Sequence, residues 1–297
     1  MTIHDPGVRI APILSVADGA VTTEDDELSV EEPLQIDVLA PNGRLERRAV
    51  AVTMRTPGND MELAAGFLFT EGLVRDETEF AEIRPAADNN VLATLRPGVC
   101  VDESRLERQS YVASSCGVCG KRSIAAVFAA RRHALRPEVP RIDVETIHGL
   151  PLAQRAAQAN FRRTGGIHAA ALFDATGRLL SVREDVGRHN ALDKLIGAEL
   201  LAGRVPLCDR ILLVSGRAGF ELVQKAAMAG IPVLAAVGAP SSLAVTLAQE
   251  CGMTLLGFVR DGRFNVYADA GRLRDLSMET SANHSFSRDP EGIVENK

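Results

Sequence analysis

Three short apolar runs, residues 211–214, 232–237 and 253–259, alternate with longer stretches, 220–229 and 241–251, whose apolar positions recur at helical spacing. Strands and helices in alternation predict parallel strands with helices packed over them, an α/β layered domain over residues 164–275. Just upstream, residues 167–173 and 179–182 predict a hairpin about Asp174-Ala175-Thr176-Gly177, and residues 188–201 predict a helix bearing Leu192, Leu195 and Ile196.

The preceding chain reads as a smaller α+β portion, rich in β-strand, over residues 31–113. Residues 34–40 and the run ending at Met54 predict two strands about Asn42-Gly43, which supplies the positive φ that tight hairpins need. Asn59 or Asp60 can cap a helix with Leu63, Ala64, Phe67 and Leu68 on one face, and residues 91–95 predict a further strand. Residues 114–163 form a connection, helical over 145–161 but broken or restarted at Gly149-Leu150-Pro151. Residues 1–30 predict a loose acidic surface segment, and residues 276–297 a polar, mobile tail.

In layered α/β folds ligands gather at the carboxyl ends of the strands. Here those ends carry Ser215-Gly216-Arg217, residues 238–242, and Phe258-Val259-Arg260-Asp261-Gly262-Arg263. The first two run into helix starts, where free N–H groups attract phosphate, and Arg217, Arg260 and Arg263 can add bidentate contacts. The bland alternative is that these turns only cap helices and the arginines only solubilise. The segment 183–190 is denser still in polar groups; a solvated cap with internal ion pairs accounts for part of it but not readily for His189 and Asn190.

A second candidate is Ser114-Ser115-Cys116-Gly117-Val118-Cys119-Gly120-Lys121, two thiols on a glycine-softened loop ahead of a helix predicted over residues 121–133. A helix N-terminus with Lys121 and Arg122 beside it favours thiolate over thiol, an arrangement for sulfur chemistry. Structural zinc would want a second close pair of ligands, and none exists. A thioredoxin-like pair belongs near the chain start, and a zinc deaminase would carry His-x-Glu and Pro-Cys-x-x-Cys, neither of which occurs. The other cysteines, Cys100, Cys208 and Cys251, are isolated, and Cys208 and Cys251 read as buried packing.

Net charge of −6 argues against wholesale nucleic-acid binding while leaving room for a local basic pocket. With no signal pattern and no membrane-length apolar run, the chain reads as cytoplasmic.

Taken jointly, several segments resemble the FdhD/NarQ family, the sulfurtransferases required to make formate dehydrogenase active. They are Glu31-Glu32-Pro33-Leu34, residues 54–58 with 62–68 and Glu71-Gly72, residues 114–121, 164–171 and 183–195, Ser215-Gly216-Arg217 with residues 221–225, and 257–267. The resemblance implies a cytidine deaminase-like fold without the deaminase zinc, and a homodimer. It implies a carrier that takes sulfur from a cysteine desulfurase as a persulfide on Cys116, with Cys119 assisting. The sulfur then passes to the molybdenum of a bis-molybdopterin guanine dinucleotide cofactor, carried as cargo, before that cofactor enters formate dehydrogenase. The loop 258–263 is implied to hold the cofactor, and a guanine nucleotide is a candidate ligand. The chain itself is expected to hold no permanent metal.

Two readings from other classes stand beside this one. A non-catalytic chaperone for cofactor and apoenzyme would need the arginine turns but not the thiols; a zinc or redox regulator would need the thiols but not the turns. Protein purified under reducing conditions should contain well under one zinc per chain and keep its fold in a chelator. Stoichiometric zinc, with structure lost on chelation, would favour the regulator.

Overall fold

The computed structural model describes residues 6–41, 45–99, 133–260 and 262–274. The thiol loop with Cys116 and Cys119, the helix expected after it, Asp261 and the C-terminal tail lie outside the described residues.

The organising element is a six-stranded sheet in the order β13-β12-β11-β10-β8-β9. Its strands are β8 (His168–Phe173), β9 (Leu179–Asp185), β10 (Ile211–Val214), β11 (Val233–Ala236), β12 (Thr254–Arg260) and β13 (Arg263–Ala268). The expected parallel run is present: β10 pairs with β11 and β11 with β12, all parallel. The sheet as a whole is mixed, because β8 lies antiparallel to β10 and β13 antiparallel to β12.

Alternation along these strands divides the apolar side chains between two faces. Ala171, Phe173, Ile211, Leu213, Val233 and Ala235 pack with Ile147 and Leu150 of α2 (Val144–Ala157). Ala170, Leu172, Leu212, Val214, Leu234 and Ala236 join the larger core on the other face. That core takes in α4 (Arg188–Leu201), α5 (Phe220–Met228) and α6 (Ser242–Cys251), and also α1 (Asp60–Thr70). Leu34, Ile36 and Val91 from the second sheet join the same core. That sheet has the order β4-β3-β6-β5, built from β3 (Glu32–Pro41), β4 (Leu45–Arg55), β5 (Phe80–Ala87) and β6 (Asn90–Leu95). The two portions distinguished in the sequence therefore share one core. A short pair, β7 (Ile142–Asp143) with β14 (Leu273–Arg274), closes the chain's last described residues against the connection.

Helices α1 and α4 cross at a pair of glycines. A methyl group on Gly66 would lie 1.9 Å from the Asp193 carbonyl oxygen, and one on Gly197 would lie 1.8 Å from that of Glu62. Any side chain at either position would drive the two backbones apart. Buried charge flanks the crossing. Lys225 donates to Asp193 at 2.7 and 2.9 Å and to Thr70 at 2.9 Å, tying α5, α4 and α1 together. Burial alone would lower the Lys225 pKa, but the carboxylates of Asp193 and Glu71 outweigh it and hold the ammonium charged.

Several expectations change. Residues 8–29 are not loose: β1 (Val8–Ala17) and β2 (Ala20–Ser29) pair along their whole length about Asp18-Gly19, both at positive φ. That is the signature of a two-residue hairpin turn, and the Asp-Gly pair signalled it. Pro151 does not break the connection helix, which runs through it because Ile147 and Leu150 anchor it on the sheet; the break falls at Gln158. Beyond it, α3 (Ala159–Thr164) is capped by Glu184, which accepts from the N–H groups of Asn160 and Phe161. Cys251 is buried as expected, but Cys208 is exposed, since Leu207 is the residue in that loop that turns inward.

Gly66→Ala or Gly197→Ala should lower the unfolding free energy by at least about 3 kcal/mol, the upper end for overpacking. Chemical denaturation checks this, and a near-wild-type midpoint would show that the helices can separate freely.

Candidate functional site

The strand ends converge as the sequence suggested. Backbone hydrogen bonds continue past the sheet: Phe258 N–H donates to the Gly238 carbonyl at 3.1 Å, and Gly238 N–H to the Gly216 carbonyl at 3.0 Å. The turns after β10, β11 and β12 are thus zipped side by side. At Gly238 a methyl group would meet the backbone of Gly216 and Arg217 at 3.0 Å, so glycine is what allows the approach. The antiparallel strands extend the same edge, since His168 opens β8 directly opposite Asp185 at the end of β9.

Around Gly216 the packing is polar and close. A methyl there would stand 3.2 Å from the His168 ring and 3.8 Å from Cδ of Arg188. Ser215 Oγ accepts from the Ala169 N–H at 2.9 Å and lies 3.4 Å from His168 Nδ1. Burial, then the positive charge of Arg188, lowers the His168 pKa, so this imidazole is neutral near pH 7. His189 faces the same edge and pairs with Glu221 at the start of α5, 2.8 Å apart.

Arginines collect along the edge without carboxylate partners among the described residues: Arg188 after β9, Arg217 after β10, Arg260 ending β12 and Arg263 opening β13. Nε of Arg188 is buried and has no hydrogen-bond partner there. Elsewhere the arginines that bear on packing have partners, as with Arg183 on Glu62, Arg55 on Asp60, and the buried Arg272 on the carbonyls of Val139, Gly252 and Arg136. The helix ends add to the positive field. Gly187 and Gly219 precede α4 and α5 and offer no side-chain cap, whereas Ser241 caps α6 itself by accepting from the Ala244 N–H. At the β11 turn, then, the bland capping role holds.

The polar segment 183–190 divides. Asp185 is fully buried and accepts from Thr56 N–H, Gly187 N–H and Asn190 Nδ2, while Lys194 Nζ sits 2.7 Å from it. Lys194 also donates to the Thr56 carbonyl at 2.8 Å, and Asn190 to that of Met54 at 2.7 Å. Asp185, Asn190 and Lys194 therefore fasten β4 to the sheet, and Arg188 and His189 are left facing the edge. Arg188 and His168 were not singled out from the sequence. His168 opens a strand that reads as a plain apolar run, and only the antiparallel placement of β8 brings it to the edge.

Strands β12 and β13 pair out to Arg260 opposite Arg263, with Gly262 at φ 73° and Phe258, unusually for a non-glycine, at φ 53°. Phe258 is half-buried, Arg260 and Arg263 are exposed, and Val259 is buried in the α2-side core, so at the edge it offers backbone alone. Among the described residues no group of three or more His, Cys, Asp or Glu is placed to hold a metal, and no helix is long and apolar enough to cross a membrane.

Comparison with known proteins adds to this geometry. The FdhD/NarQ family model matches residues 30–274. The chain is 50% identical over 271 residues to the sulfur carrier protein FdhD of Streptomyces avermitilis, covering 88% of this chain and 94% of that one. It is 48% identical over 265 residues to the protein of that name from Mycobacterium tuberculosis, covering 85% and 94%. Among solved structures, a formate dehydrogenase accessory protein from Desulfotalea psychrophila superposes with a TM-score of 0.70 at 24% identity, over 90% of this chain and all of that one, a likeness of fold.

The His168 environment predicts a pH effect. Its folded pKa lies below the unfolded value, so the unfolded chain binds more protons and stability falls as pH drops through 6.5 toward the lowered value. In His168→Gln the loss of stability between pH 7.5 and pH 5.5, read from denaturation midpoints, should be smaller than in the wild type; an equal loss would contradict it.

Proposed function

Because the chain belongs to the FdhD/NarQ family, we propose that it is a sulfur carrier serving formate dehydrogenase. It accepts sulfur from a cysteine desulfurase as a persulfide on Cys116 and delivers it to a molybdenum cofactor, bis-molybdopterin guanine dinucleotide, held at the strand ends. In this reading the cofactor is cargo, Cys119 assists, and the protein works as a cytoplasmic homodimer of deaminase-like layered fold.

The observation that most supports cargo binding is the row of arginines facing the edge without acidic partners among the described residues, beside helix starts that lack side-chain caps. Such an edge suits an anion with several phosphate oxygens. The chemistry at sulfur follows from the residue types. A thiolate at Cys116 attacks the outer sulfur of the donor's persulfide; the donor leaves as a thiolate, and Cys116 retains the transferred sulfur. The acceptor then supplies the electron pair that bonds to the outer sulfur, the S–S bond breaks, and Cys116 leaves as a thiolate. Gly117 and Gly120, which follow Cys116, permit the loop to present the thiol to donor and acceptor in turn.

Substituting Cys116 by Ala should abolish support of formate dehydrogenase while the thermal melt stays that of the wild type. Near-normal formate dehydrogenase activity with that variant would overturn the carrier assignment and leave the chaperone reading.

Replacing Arg260 and Arg263 together by Ala removes two charge-assisted contacts, and cofactor affinity should fall by at least about tenfold. Sulfur loading should be untouched, because the donor step needs no cofactor. A double variant that loses loading yet keeps cofactor affinity would place the desulfurase, not the cofactor, at this loop.

A further inference from the structure

Arg188 is the least explained charge in the fold. Its Nε is buried and has no hydrogen-bond partner among the described residues, and no ion pair there holds the guanidinium. Two carboxylates of the same edge are already engaged: Asp185 by Lys194 and three hydrogen-bond donors, Glu221 by His189. A buried donor left unpaired is destabilising, so Nε of this half-buried side chain calls for an acceptor beyond the described residues, a water or a ligand. The neighbours fit an anion. The Arg188 stem passes beside Gly216, where an added methyl would lie in ordinary contact with Arg188 Cδ at 3.8 Å and would crowd the His168 ring at 3.2 Å. Ser215 Oγ takes a hydrogen bond from Ala169, and its own proton can go to His168 Nδ1, 3.4 Å away, or to a ligand. The free N–H groups of the α4 first turn lie at Arg188 itself, behind a glycine N-cap.

We infer that Arg188, with Ser215 and the α4 N-terminus, is the anchor for one phosphate group of the ligand, and that Arg260 and Arg263 hold the ligand's other end. The inference rests on the reading of this edge as the cargo site and assigns the cargo a direction. Ser215 follows β10 and Arg260 ends β12, two strand spacings away, roughly 10 Å. A single phosphate or pyrophosphate group is shorter than that span and can engage only one end. The ligand is therefore elongated, lying across the strand ends with its phosphate at the β9–β10 side. His168, neutral when the edge is empty, sits beside the phosphate as a hydrogen-bonding partner; the charged groups around it are Arg188 and His189 from α4 and Asp185 from β9.

Inorganic pyrophosphate, titrated calorimetrically into the full-length protein, separates the two ends. Wild type should bind it saturably, Arg188→Gln should bind at least about tenfold more weakly, and the Arg260→Ala/Arg263→Ala pair should stay within about twofold of wild type. Arg188→Lys keeps the charge but not the guanidinium fork, and should fall between wild type and Arg188→Gln; it also serves as the test if the Gln variant does not fold. Absence of binding to wild type would overturn the inference, as would unchanged affinity in a folded Arg188 variant, or loss confined to the Arg260/Arg263 pair. Sulfur loading measured on the same preparations keeps the two readings apart. Protein that binds pyrophosphate through Arg188 but takes no sulfur would retain the anchor and refute the carrier. Protein that loads sulfur but ignores pyrophosphate would do the reverse.

Discussion

The contact between α1 and α4 at Gly66 and Gly197 sets the rest of the structure. With no side chain at either glycine, the two helix backbones meet at a distance where a methyl group would overlap a carbonyl oxygen. Helices this close bring α1 into the core on one face of the main sheet, and with it the second sheet that α1 packs against. The buried pairs then become possible: Lys225 reaches Asp193, Thr70 and Glu71 because α1, α4 and α5 converge there. Lys194 reaches Asp185 and the Thr56 carbonyl because β4 ends above the β9 turn. Removing one partner of such a pair leaves an uncompensated buried charge, a loss on the order of 3–5 kcal/mol.

That arrangement is also what aims the functional edge. Residues Asp185 to Asn190 join β9 to α4, and their position is fixed by Asp185, Asn190 and Lys194 on one side and by the glycine crossing along the helix on the other. With these polar groups committed to packing, Arg188 and His189 face the strand ends, beside the zipped turns after β10, β11 and β12. The site is thus built on short rigid turns at the end of a sheet, with donors oriented before any ligand arrives, which reduces the ordering that binding must supply.

Much of this was legible in the sequence, for identifiable reasons. Helix α4 and strands β10, β11 and β12 follow from local periodicity, and the clustering of their turns follows from parallel pairing. What local pattern cannot carry is a partner far along the chain. Gly66 and Gly197 look like ordinary weak points in two helices until they are found against each other. Arg183 and Asp185 look like site residues until Glu62, Lys194 and Thr56 are found beside them, and His168 looks structural until β8 is seen to run antiparallel. Pro151 misled because burial of Ile147 and Leu150 outweighs one missing hydrogen bond. The hairpin of β1 and β2 was legible at Asp18-Gly19, but its acidic composition read as loose surface.

Whether this chain carries sulfur covalently is read most directly from intact-protein mass after incubation with a cysteine desulfurase and cysteine. A carrier gains the mass of added sulfur, which a reductant removes and peptide mapping locates at Cys116. A mass that stays unchanged while the protein still supports formate dehydrogenase would contradict covalent carriage.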